Sequence, residues 1–349
     1  MGLLKRGIVM DLHIEKLNNN NIELWEDFNQ RMDDGTFYHT TKWKRILELL
    51  GYNPHYYLVF DGDETVAICP FFEFNIKGFK GITSLPDSDY NHLIIKDNDP
   101  NIIEFIRKEM ESKAKKKSWS FIIFNSKDKN IGDKIGASSY PNFSMGTMIL
   151  NLEELNPEKI WNEVFTAKRR QRTYINRFEN DGFQVREIDS TDDIKILYDC
   201  YLKNIKHING TEYAYSHFKD LYDVYTTKNI YAGLLFKDDF IAGGFLNFLD
   251  ESKKTMYVRY IGINRDISNK YHVQYYLVWE SIKKADEIGF KKLDMGSNVY
   301  DLDHPGYKLK RNFGGEYQNS YSILRPTSKL FKLGHNIFRS INPVQQNEK

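Results

Sequence analysis

Three cationic side chains and a pair of glycines lie close together near the C-terminal end of the sequence. Lys308, Lys310 and Arg311 are followed by Gly314 and Gly315. Glycine lets a backbone approach a ligand closely, and cations suit a phosphate or the oxyanion that develops during acyl transfer. The segment therefore indicates a site of this chemistry. The alternative is a basic surface hairpin closed by a glycine turn.

A short predicted strand, 292–295, leads into this segment and carries Asp294. A carboxylate at a strand end can bind a substrate, or it can cap the backbone of the glycine that follows, Gly296. Tyr307 precedes the lysines and is a second candidate for substrate binding. We interpret His304, in the loop between them, as a turn residue rather than a base.

A second cationic cluster lies in the middle of the chain. The predicted helix over 157–180 contains a run from Thr166 to Arg177 with five cations and no carboxylate, including Lys168, Arg169 and Arg172. A solvated helix face is the usual explanation for such a run. Because the chain as a whole is balanced in charge, missing counter-charges make an anion site equally plausible. The anion could be a phosphate, a pyrophosphate or an RNA backbone.

The elements that would position these residues follow one plan twice. Each half contains a hairpin with an acidic turn, at 58–72 and 234–246, then a strand, an amphipathic helix and a strand entered through lysines. The hydrophobic spacing of the second helix places Val278, Ile282 and Ala285 on one face. We infer two copies of one α/β unit, with chance similarity of the hairpins as the alternative.

Composition sets further bounds. The chain has 349 residues, 41% of them hydrophobic, with a net charge of +1 and two cysteines. This length suits two domains, and the charge excludes a generally basic nucleic-acid coat. The cysteine count favours a reducing compartment, and no cysteine or histidine spacing predicts a metal site. Without a predicted membrane span or signal peptide, we expect a cytoplasmic protein.

The order of hairpin, strand, loop, helix and strand in the second half resembles the core of the GNAT acyltransferase fold. In that family the loop reads [QR]-x-x-G-x-[GA], and its backbone amides hold the pyrophosphate of coenzyme A at a helix N-terminus. This chain has 265–270, Arg-Asp-Ile-Ser-Asn-Lys, at that place. Both glycines are missing and an aspartate is added, so the coenzyme A cradle is degraded.

A doubled GNAT unit with a basic helix between the copies resembles the FemABX group of aminoacyl transferases, which build peptidoglycan interpeptide bridges. The resemblance covers roughly 37–317. It rests on the segment 37–43 ending in Trp43, on a Pro-x-x-Asp-Tyr-like loop at 85–90, on the basic helix 168–182, and on a Phe-Lys-x-x-Phe-Gly-Gly-like segment at 306–315. In the last of these Leu309 replaces the first Phe and Lys310 holds the lysine.

The resemblance implies an α/β, more closely α+β, protein of two GNAT-like domains, each a mixed, mostly antiparallel sheet flanked by helices. We expect the first domain at 1–155, completed by the C-terminal segment 316–349. The second domain is expected at 156–315, with the basic helix and the Lys310 segment.

The resemblance also implies transfer of an aminoacyl group from aminoacyl-tRNA to an amine of a phosphate-bearing cell-envelope precursor, with no bound cofactor. Lys310 would stabilise the reacting acyl group or the tRNA end, and Asp89 would position or deprotonate the amine. The further candidates bind phosphates or line the substrate pocket: Trp43, Lys42, Tyr90, Lys168, Arg169, Arg172, Asp294 and Tyr307. The tRNA-binding helical arm of some members is not evident, which leaves the donor open.

Two other functions stay possible. One is an acyl-CoA-dependent N-acyltransferase of a small molecule or envelope sugar. The other is a non-catalytic RNA- or phospholipid-binding module. Its support is the basic helix and a C-terminal segment whose Leu330, Leu333, Ile337 and Ile341 share one apolar face beside cations. Such a face suits peripheral contact with a membrane surface, or packing on the first domain.

Overall fold

The computed structural model describes residues 10–128, 145–165 and 170–341. The chain divides into two compact units. Unit 1 combines 1–143 with 320–349, and unit 2 spans 144–319. The predicted Lys168 and Arg169 lie outside the described residues.

Unit 1 is built on one sheet with helices packed against it. Its elements are β1 (Leu12–Lys16), α1 (Ile22–Arg31), α2 (Thr41–Leu49), β2 (Pro54–Asp61), β3 (Glu64–Ile76), β4 (Phe79–Ser84), β5 (Ile94–Ile95), α3 (Pro100–Lys117), β6 (Phe121–Ser126), and, from the C-terminal segment, β14 (Tyr321–Pro326) and α9 (Lys329–Ile341). The strand order is β1-β2-β3-β4-β6-β14, and β5 pairs with β3. Apolar residues of α3, such as Ile102, Ile106 and Met110, pack with strand residues in the core.

Unit 2 repeats this arrangement. Its elements are β7 (Met145–Asn151), a helical stretch at 157–164, α4 (Arg170–Asn180), β8 (Gln184–Glu187), α5 (Thr191–Ile208), α6 (Tyr215–Asn229), β9 (Ile230–Lys237), β10 (Phe240–Asp250), β11 (Thr255–Ile263), α7 (Val273–Glu287), β12 (Lys292–Val299), α8 (Pro305–Arg311) and β13 (Glu316–Asn319). The strand order is β13-β7-β12-β11-β10-β9-β8. The core includes Leu277, Ile282 and Leu293.

The two units share one order of elements: strand, two helices, three strands, a helix and a strand. It runs from β1 to β6 in unit 1 and from β8 to β12 in unit 2, with the short β5 as an addition. The predicted fold class, two mixed and mostly antiparallel sheets flanked by helices, is confirmed. The sequence-based plan omitted α5 and α6, which complete the repeat.

Each sheet ends on a strand that comes from beyond its own repeat. Strand β7 follows β6 in the sequence but pairs with β12, and β14 pairs with β6. An open edge at β6 or β12 would leave a row of unpaired backbone groups, and these antiparallel partners cover it. The unit boundaries therefore differ from the predicted 155 and 316, because β7 and β13 both belong to the second sheet.

Among the described strands, each sheet has one parallel pair, and its strands separate after a short contact. In unit 1, β4 pairs with β6 only at Ile82↔Ile122 and Thr83↔Ile123. In unit 2, the pairing of β11 with β12 ends at Tyr257↔Asp294. Beyond these points both strands of a pair must satisfy their backbone groups elsewhere, and in parallel sheets such carboxyl ends are where ligands bind.

In unit 1 the chain itself fills the carboxyl end of the parallel pair. The buried Asn125 side chain donates to Ser84 O at 3.3 Å, and Leu93 N donates to Asn125 O at 3.3 Å. The loop 85–92 is therefore tied to β6 as well as to β4.

Two buried histidines fix this loop to the segment before α2. His39 Nε2 lies 2.9 Å from His92 O, and His92 Nε2 lies 2.9 Å from Asp34 O. A carbonyl oxygen only accepts, so both Nε2 atoms carry protons and donate. Burial lowers the pKa of His92 well below its usual value, and the nearby charge of Lys127 acts in the same direction. The loop is thus held by a neutral imidazole.

A close helix–sheet contact in unit 2 depends on glycine. A Cβ atom on Gly262 of β11 would lie 2.7 Å from Tyr201 N and 2.9 Å from Cys200 Cβ, both on α5. Main-chain atoms of a helix cannot move aside as a flexible side chain can. The glycine therefore sets the distance between α5 and the sheet.

We predict that Gly262→Ala lowers the free energy of unfolding by about 1–3 kcal/mol, because the added methyl group overpacks this contact. Urea unfolding measures the change. Gly334→Ala in α9 is the matched control, since a Cβ there meets nothing within 4 Å. An unchanged stability of the Gly262 variant would show that α5 can shift without cost.

We also predict that the free energy of unfolding falls as the pH drops below about 6.5, where histidines of the unfolded chain gain protons that buried His92 does not accept. Above that pH both states are neutral at this residue and its contribution is constant. His92→Gln, whose amide can still donate to Asp34 O, should remove part of this dependence, about 1.4 kcal/mol per pH unit.

Urea unfolding at a series of pH values tests this expectation. The exposed His207→Gln serves as control. An identical pH dependence in the wild type and the His92 variant would contradict the assignment.

Candidate functional site

The carboxyl end of β12 contains a β-bulge that organises the candidate site in unit 2. The register of β12 against β7 shifts between Asp294 and Ser297. Gly296 has a φ of 79°, a left-handed conformation that favours glycine. The buried Asp294 accepts a hydrogen bond from Gly296 N at 2.7 Å. Of the two roles considered for Asp294, the structure shows the second: its carboxylate caps the backbone N–H of Gly296.

Lys310 extends from α8 to the same bulge. Its Nζ lies 2.9 Å from Gly296 O and 2.9 Å from Ser297 O, and the side chain is half-buried. These carbonyls follow the last residue of β12 that pairs with β11, so the ammonium group binds backbone beyond the end of the parallel pairing. Lys310 is thus positioned where the parallel strands have separated, and it also stabilises the bulge.

The glycine pair after α8 allows the chain to pack closely against β12. Gly314 has a φ of 93°, and a Cβ on Gly315 would lie 2.3 Å from Met295 Cε and 3.1 Å from Lys310 O. Gly315 therefore allows the segment after α8 to lie directly against β12 and the Lys310 backbone. The sequence indicated close approach to a ligand, and the approach found here is between parts of the chain.

Tyrosine side chains surround the end of β12. The Tyr307 ring lies 5.7 Å from the Tyr300 ring and 5.9 Å from the Tyr317 ring. Tyr317 OH donates to Asn298 O at 3.3 Å. Asn298 is buried, and its Nδ2 finds no hydrogen-bond acceptor within the described parts of the chain. Tyr307 is only 6% exposed, whereas Tyr300 is 50% exposed, so Tyr300 is the ring that can contact a ligand.

The part of the predicted basic helix that the structure describes begins at Arg170. Arg172 donates from Nη2 to Trp161 O, and its guanidinium lies 5.5 Å from the centre of the Trp161 ring. This arrangement fixes Arg172 against the helical stretch 157–164. Lys168 and Arg169, the other predicted phosphate ligands of this helix, lie outside the described residues.

In unit 1, the loop 85–92 carries the predicted Asp89 and Tyr90. Tyr38 OH donates to Asp89 Oδ2 at 2.6 Å, and the aspartate is half-buried. Trp43 Nε1 donates to Ser88 Oγ at 2.7 Å and the indole is 1% exposed. The segment 37–43, which leads into α2, thus holds this loop in place through two hydrogen bonds.

Tyr90 and Lys42 differ in exposure. Tyr90 is buried, and Lys127 Nζ lies 4.9 Å from the centre of its ring while pairing with Asp34 at 3.0 Å. Lys42 is exposed on α2 next to the buried Trp43. Of the four predicted residues of unit 1, Lys42 is exposed, Asp89 is partly exposed, and Trp43 and Tyr90 are buried.

In unit 2, the junction that would hold coenzyme A is occupied by contacts within the chain. Asp266 pairs with Lys203 at 2.5 Å. Asp181 accepts from Tyr271 OH and lies 3.6 Å from Lys270 Nζ. The hydrogen bond from Tyr271 keeps the pKa of Asp181 below its usual value, so this carboxylate stays charged beside the start of α7.

The corresponding junction in unit 1 also carries a carboxylate. Asp99 is the N-cap of α3 and its side chain accepts from Asn101 N at 2.7 Å. Pro100 at the first helical position has no N–H to offer. The carboxylate already satisfies a backbone donor that a pyrophosphate would need, and it repels a second anion.

Across the described ranges, no group of three or more metal-ligating side chains could hold an ion. Within the same ranges, no helix has the length and apolarity needed to cross a lipid bilayer.

Sequence reasoning missed several residues of these sites. Tyr38 hydrogen-bonds Asp89, and Ser88 hydrogen-bonds Trp43. Tyr300 and Asn298 lie beside the bulge of β12 that Lys310 contacts. Tyr38 and Ser88 stand inside the motifs that carried the family resemblance, which was a usable signal. No sequence signal pointed to Asn298 and Tyr300, because the predicted strand stopped at 295 whereas β12 continues to Val299.

No protein-family model and no curated protein sequence matches this chain. Solved structures do match it. Over 91% of this chain and 99% of the other, the structure is similar to FemX with a TM-score of 0.71 and 13% identity. A tandem GNAT protein from the clavulanic acid biosynthesis pathway matches over 91% and 99% of the two chains, with a TM-score of 0.59 and 10% identity.

A third similar structure is L-PGS from Bacillus licheniformis, with a TM-score of 0.57 and 13% identity over 93% of this chain and 97% of the other. At such identities the likeness establishes a common fold. This chain has the two-unit GNAT-like fold of FemX and of the tandem GNAT protein.

Proposed function

We propose that this protein is an acyltransferase that forms an amide bond. The donated group is an aminoacyl group carried by tRNA, and the acceptor is an amine of a phosphate-bearing, peptidoglycan-type envelope precursor. The observation that carries the proposal is the position of Lys310, whose ammonium group is fixed at the bulge of β12 within a fold that FemX shares along 99% of its chain.

The chemistry needs a positive charge at a defined point. The amine nitrogen attacks the ester carbonyl carbon, and a C–N bond forms while the carbonyl oxygen becomes an oxyanion. The C–O bond to the tRNA ribose then breaks, and the released ribose oxygen takes up the proton that the amine loses. Lys310 stabilises the oxyanion, and because two carbonyls already hold its Nζ in place, little reorganisation is needed as charge develops.

The acceptor amine requires a carboxylate that binds or deprotonates it. Asp89 is our candidate because it is half-exposed and oriented by Tyr38 OH. A carboxylate held in this way can form a charge-assisted hydrogen bond with an amine.

The side chains at the helix N-termini distinguish between the two possible donors. A GNAT enzyme that uses acyl-CoA needs free backbone amides for a pyrophosphate. Here the N-cap of α3 is Asp99, and charged Asp181 and Asp266 flank the segment before α7. A donor without a pyrophosphate at this place meets no such repulsion. This favours aminoacyl-tRNA over acyl-CoA, which stays the second candidate because of the fold shared with the tandem GNAT protein.

We predict that Lys310→Ala lowers the rate of amide formation by about 100- to 1,000-fold, the usual effect of removing one oxyanion donor. The variant also loses two hydrogen bonds at the bulge, at a cost of about 1–3 kcal/mol in the free energy of unfolding. Single-turnover transfer from aminoacyl-tRNA to a UDP-linked muropeptide measures the rate, and thermal unfolding measures the stability.

Lys308→Ala is the matched control, since Lys308 lies on the same helix and pairs with exposed Asp303 at 2.9 Å. It should retain nearly full activity. Lys310→Arg, which keeps the charge and the donors, separates a catalytic from a structural loss. Equal rates for the Lys310 and Lys308 alanine variants would remove Lys310 from the mechanism.

Ligand stabilisation distinguishes the two donors. A ligand that binds only the folded protein must raise its melting temperature by mass action. We expect aminoacyl-tRNA and the muropeptide to stabilise the protein, and acetyl-CoA or longer acyl-CoAs to leave it unchanged. Stabilisation by acyl-CoA alone would reject the tRNA donor and support the second candidate.

A further inference from the structure

The C-terminal helix α9 has two different apolar faces. One face is anchored to the sheet of unit 1: Phe331 is buried and its ring lies 4.9 Å from the Phe121 ring and 5.3 Å from the Phe79 ring. The other face carries Leu330, Leu333 and Ile337, which are 67%, 60% and 52% exposed. At the spacing i, i+3, i+7 these three side chains form one ridge along the helix. We name it the apolar ridge.

Burying apolar surface is favourable, so three large aliphatic side chains kept in water on one ridge indicate a surface that is covered in use. The anchored face explains why α9 is helical, and it does not require leucines on the outer side. The ridge therefore needs its own explanation.

Lysines surround the start of this helix. Backbone hydrogen bonds join three segments at one edge of unit 1: Ser120 N donates to Lys80 O at 2.7 Å, and Thr327 N donates to Ser120 O at 2.9 Å. The turn before β4, the end of α3 and the start of α9 therefore lie side by side. The exposed lysines that these segments contribute are Lys77, Lys80, Lys115, Lys116, Lys117, Lys329 and Lys332.

Few negative charges oppose these lysines. The three sequence segments 74–86, 112–126 and 317–347 contain no aspartate or glutamate. Glu73, which neighbours the turn, pairs with Lys80 at 2.7 Å. Glu111 on α3 pairs with Arg107 at 2.9 Å and with Arg325. The edge is thus strongly positive although the whole chain has a net charge of +1.

We propose that the apolar ridge and the lysines around it form a docking surface for an anionic lipid bilayer. An amphipathic helix binds a bilayer by inserting its apolar side chains at the headgroup boundary while cations contact anionic lipids. Lys329 and Lys332 each stand one position before a ridge leucine, which matches that geometry. The inference stands independently of the proposed function.

The ridge favours lipid over RNA as the occupant. Single-stranded RNA is bound through phosphate contacts and through bases stacked on aromatic rings. The outward side chains of this surface are aliphatic, and its aromatic residues Phe79, Phe121 and Phe331 face one another beneath the helix. Phosphate contacts alone would leave the leucines in water.

Vesicle co-sedimentation of the full chain tests the proposal. We expect binding to vesicles that contain phosphatidylglycerol and weak binding to phosphatidylcholine alone. Leu330→Gln/Leu333→Gln should reduce binding by about tenfold or more, because two inserted leucines are lost. Lys115→Gln/Lys116→Gln should reduce it several-fold and weaken its salt dependence.

Matched controls come from exposed residues elsewhere. Leu24→Gln/Leu49→Gln replaces leucines that are 46% and 41% exposed, and Lys206→Gln/Lys228→Gln replaces exposed lysines of unit 2. Both should bind vesicles like the wild type. Thermal unfolding checks that every variant is folded, which is expected because the changed side chains are exposed.

Four outcomes would overturn the proposal. Vesicle binding could be absent, or could be the same for the ridge variant and the wild type. The lysine variant could instead lose binding to deacylated tRNA in a gel-shift assay without any vesicle binding, which would make this a nucleic-acid surface. The ridge variant could convert a dimer into a monomer in analytical ultracentrifugation, which would assign the ridge to self-association.

Discussion

The separation of the parallel strands β11 and β12 is the constraint on which the candidate site depends. Once the pairing ends at Tyr257↔Asp294, the following backbone groups of β12 must bond elsewhere, because buried unpaired amides and carbonyls are costly. Asp294 satisfies Gly296 N, and Lys310 satisfies the carbonyls of Gly296 and Ser297. The same solution that completes the strand places an ammonium group at its carboxyl end. Under the proposed function, one residue therefore serves both structure and chemistry, and a variant of Lys310 must be judged on both.

The two units solve the same problem differently. In unit 1 the carboxyl end of β4 and β6 is filled by the loop 85–92, which Asn125 and the buried pair His39 and His92 hold in place. In unit 2 a helix, α8, and its glycine pair lie against the corresponding strand. The loop of unit 1 carries the half-exposed carboxylate of Asp89, and the strand end of unit 2 carries the fixed cation of Lys310. A doubled fold of this kind allows its copies to diverge in chemistry while each keeps the core that stabilises it.

Charge is distributed locally rather than overall. The net charge is only +1, but the charges are unevenly placed. Carboxylates lie at helix N-termini, where a coenzyme A pyrophosphate would bind, and the edge around α9 is poor in carboxylates. Carboxylates at N-termini stabilise the helices through their dipoles, so they benefit folding while they exclude anionic ligands. The lysines at the end of α3 likewise suit the dipole of that helix. These charges thus serve stability, and under the two proposals they also serve recognition.

The sequence by itself determined the fold class, the repeat and the chemical character of the Lys310 segment. Hydrophobic periodicity and turn residues depend on neighbours along the chain, and so hairpins such as 58–72 and helices such as α7 could be read directly. It did not determine that Lys310 bonds the bulge of β12 or that Trp43 and Tyr307 are buried. Nor did it show that β7 leaves the repeat that precedes it, whereas the return of the C-terminal segment to the first domain was implied by the family resemblance. These facts depend on pairing between residues far apart in sequence, where burial and backbone hydrogen bonding select one partner among many, and only the tertiary structure records that selection.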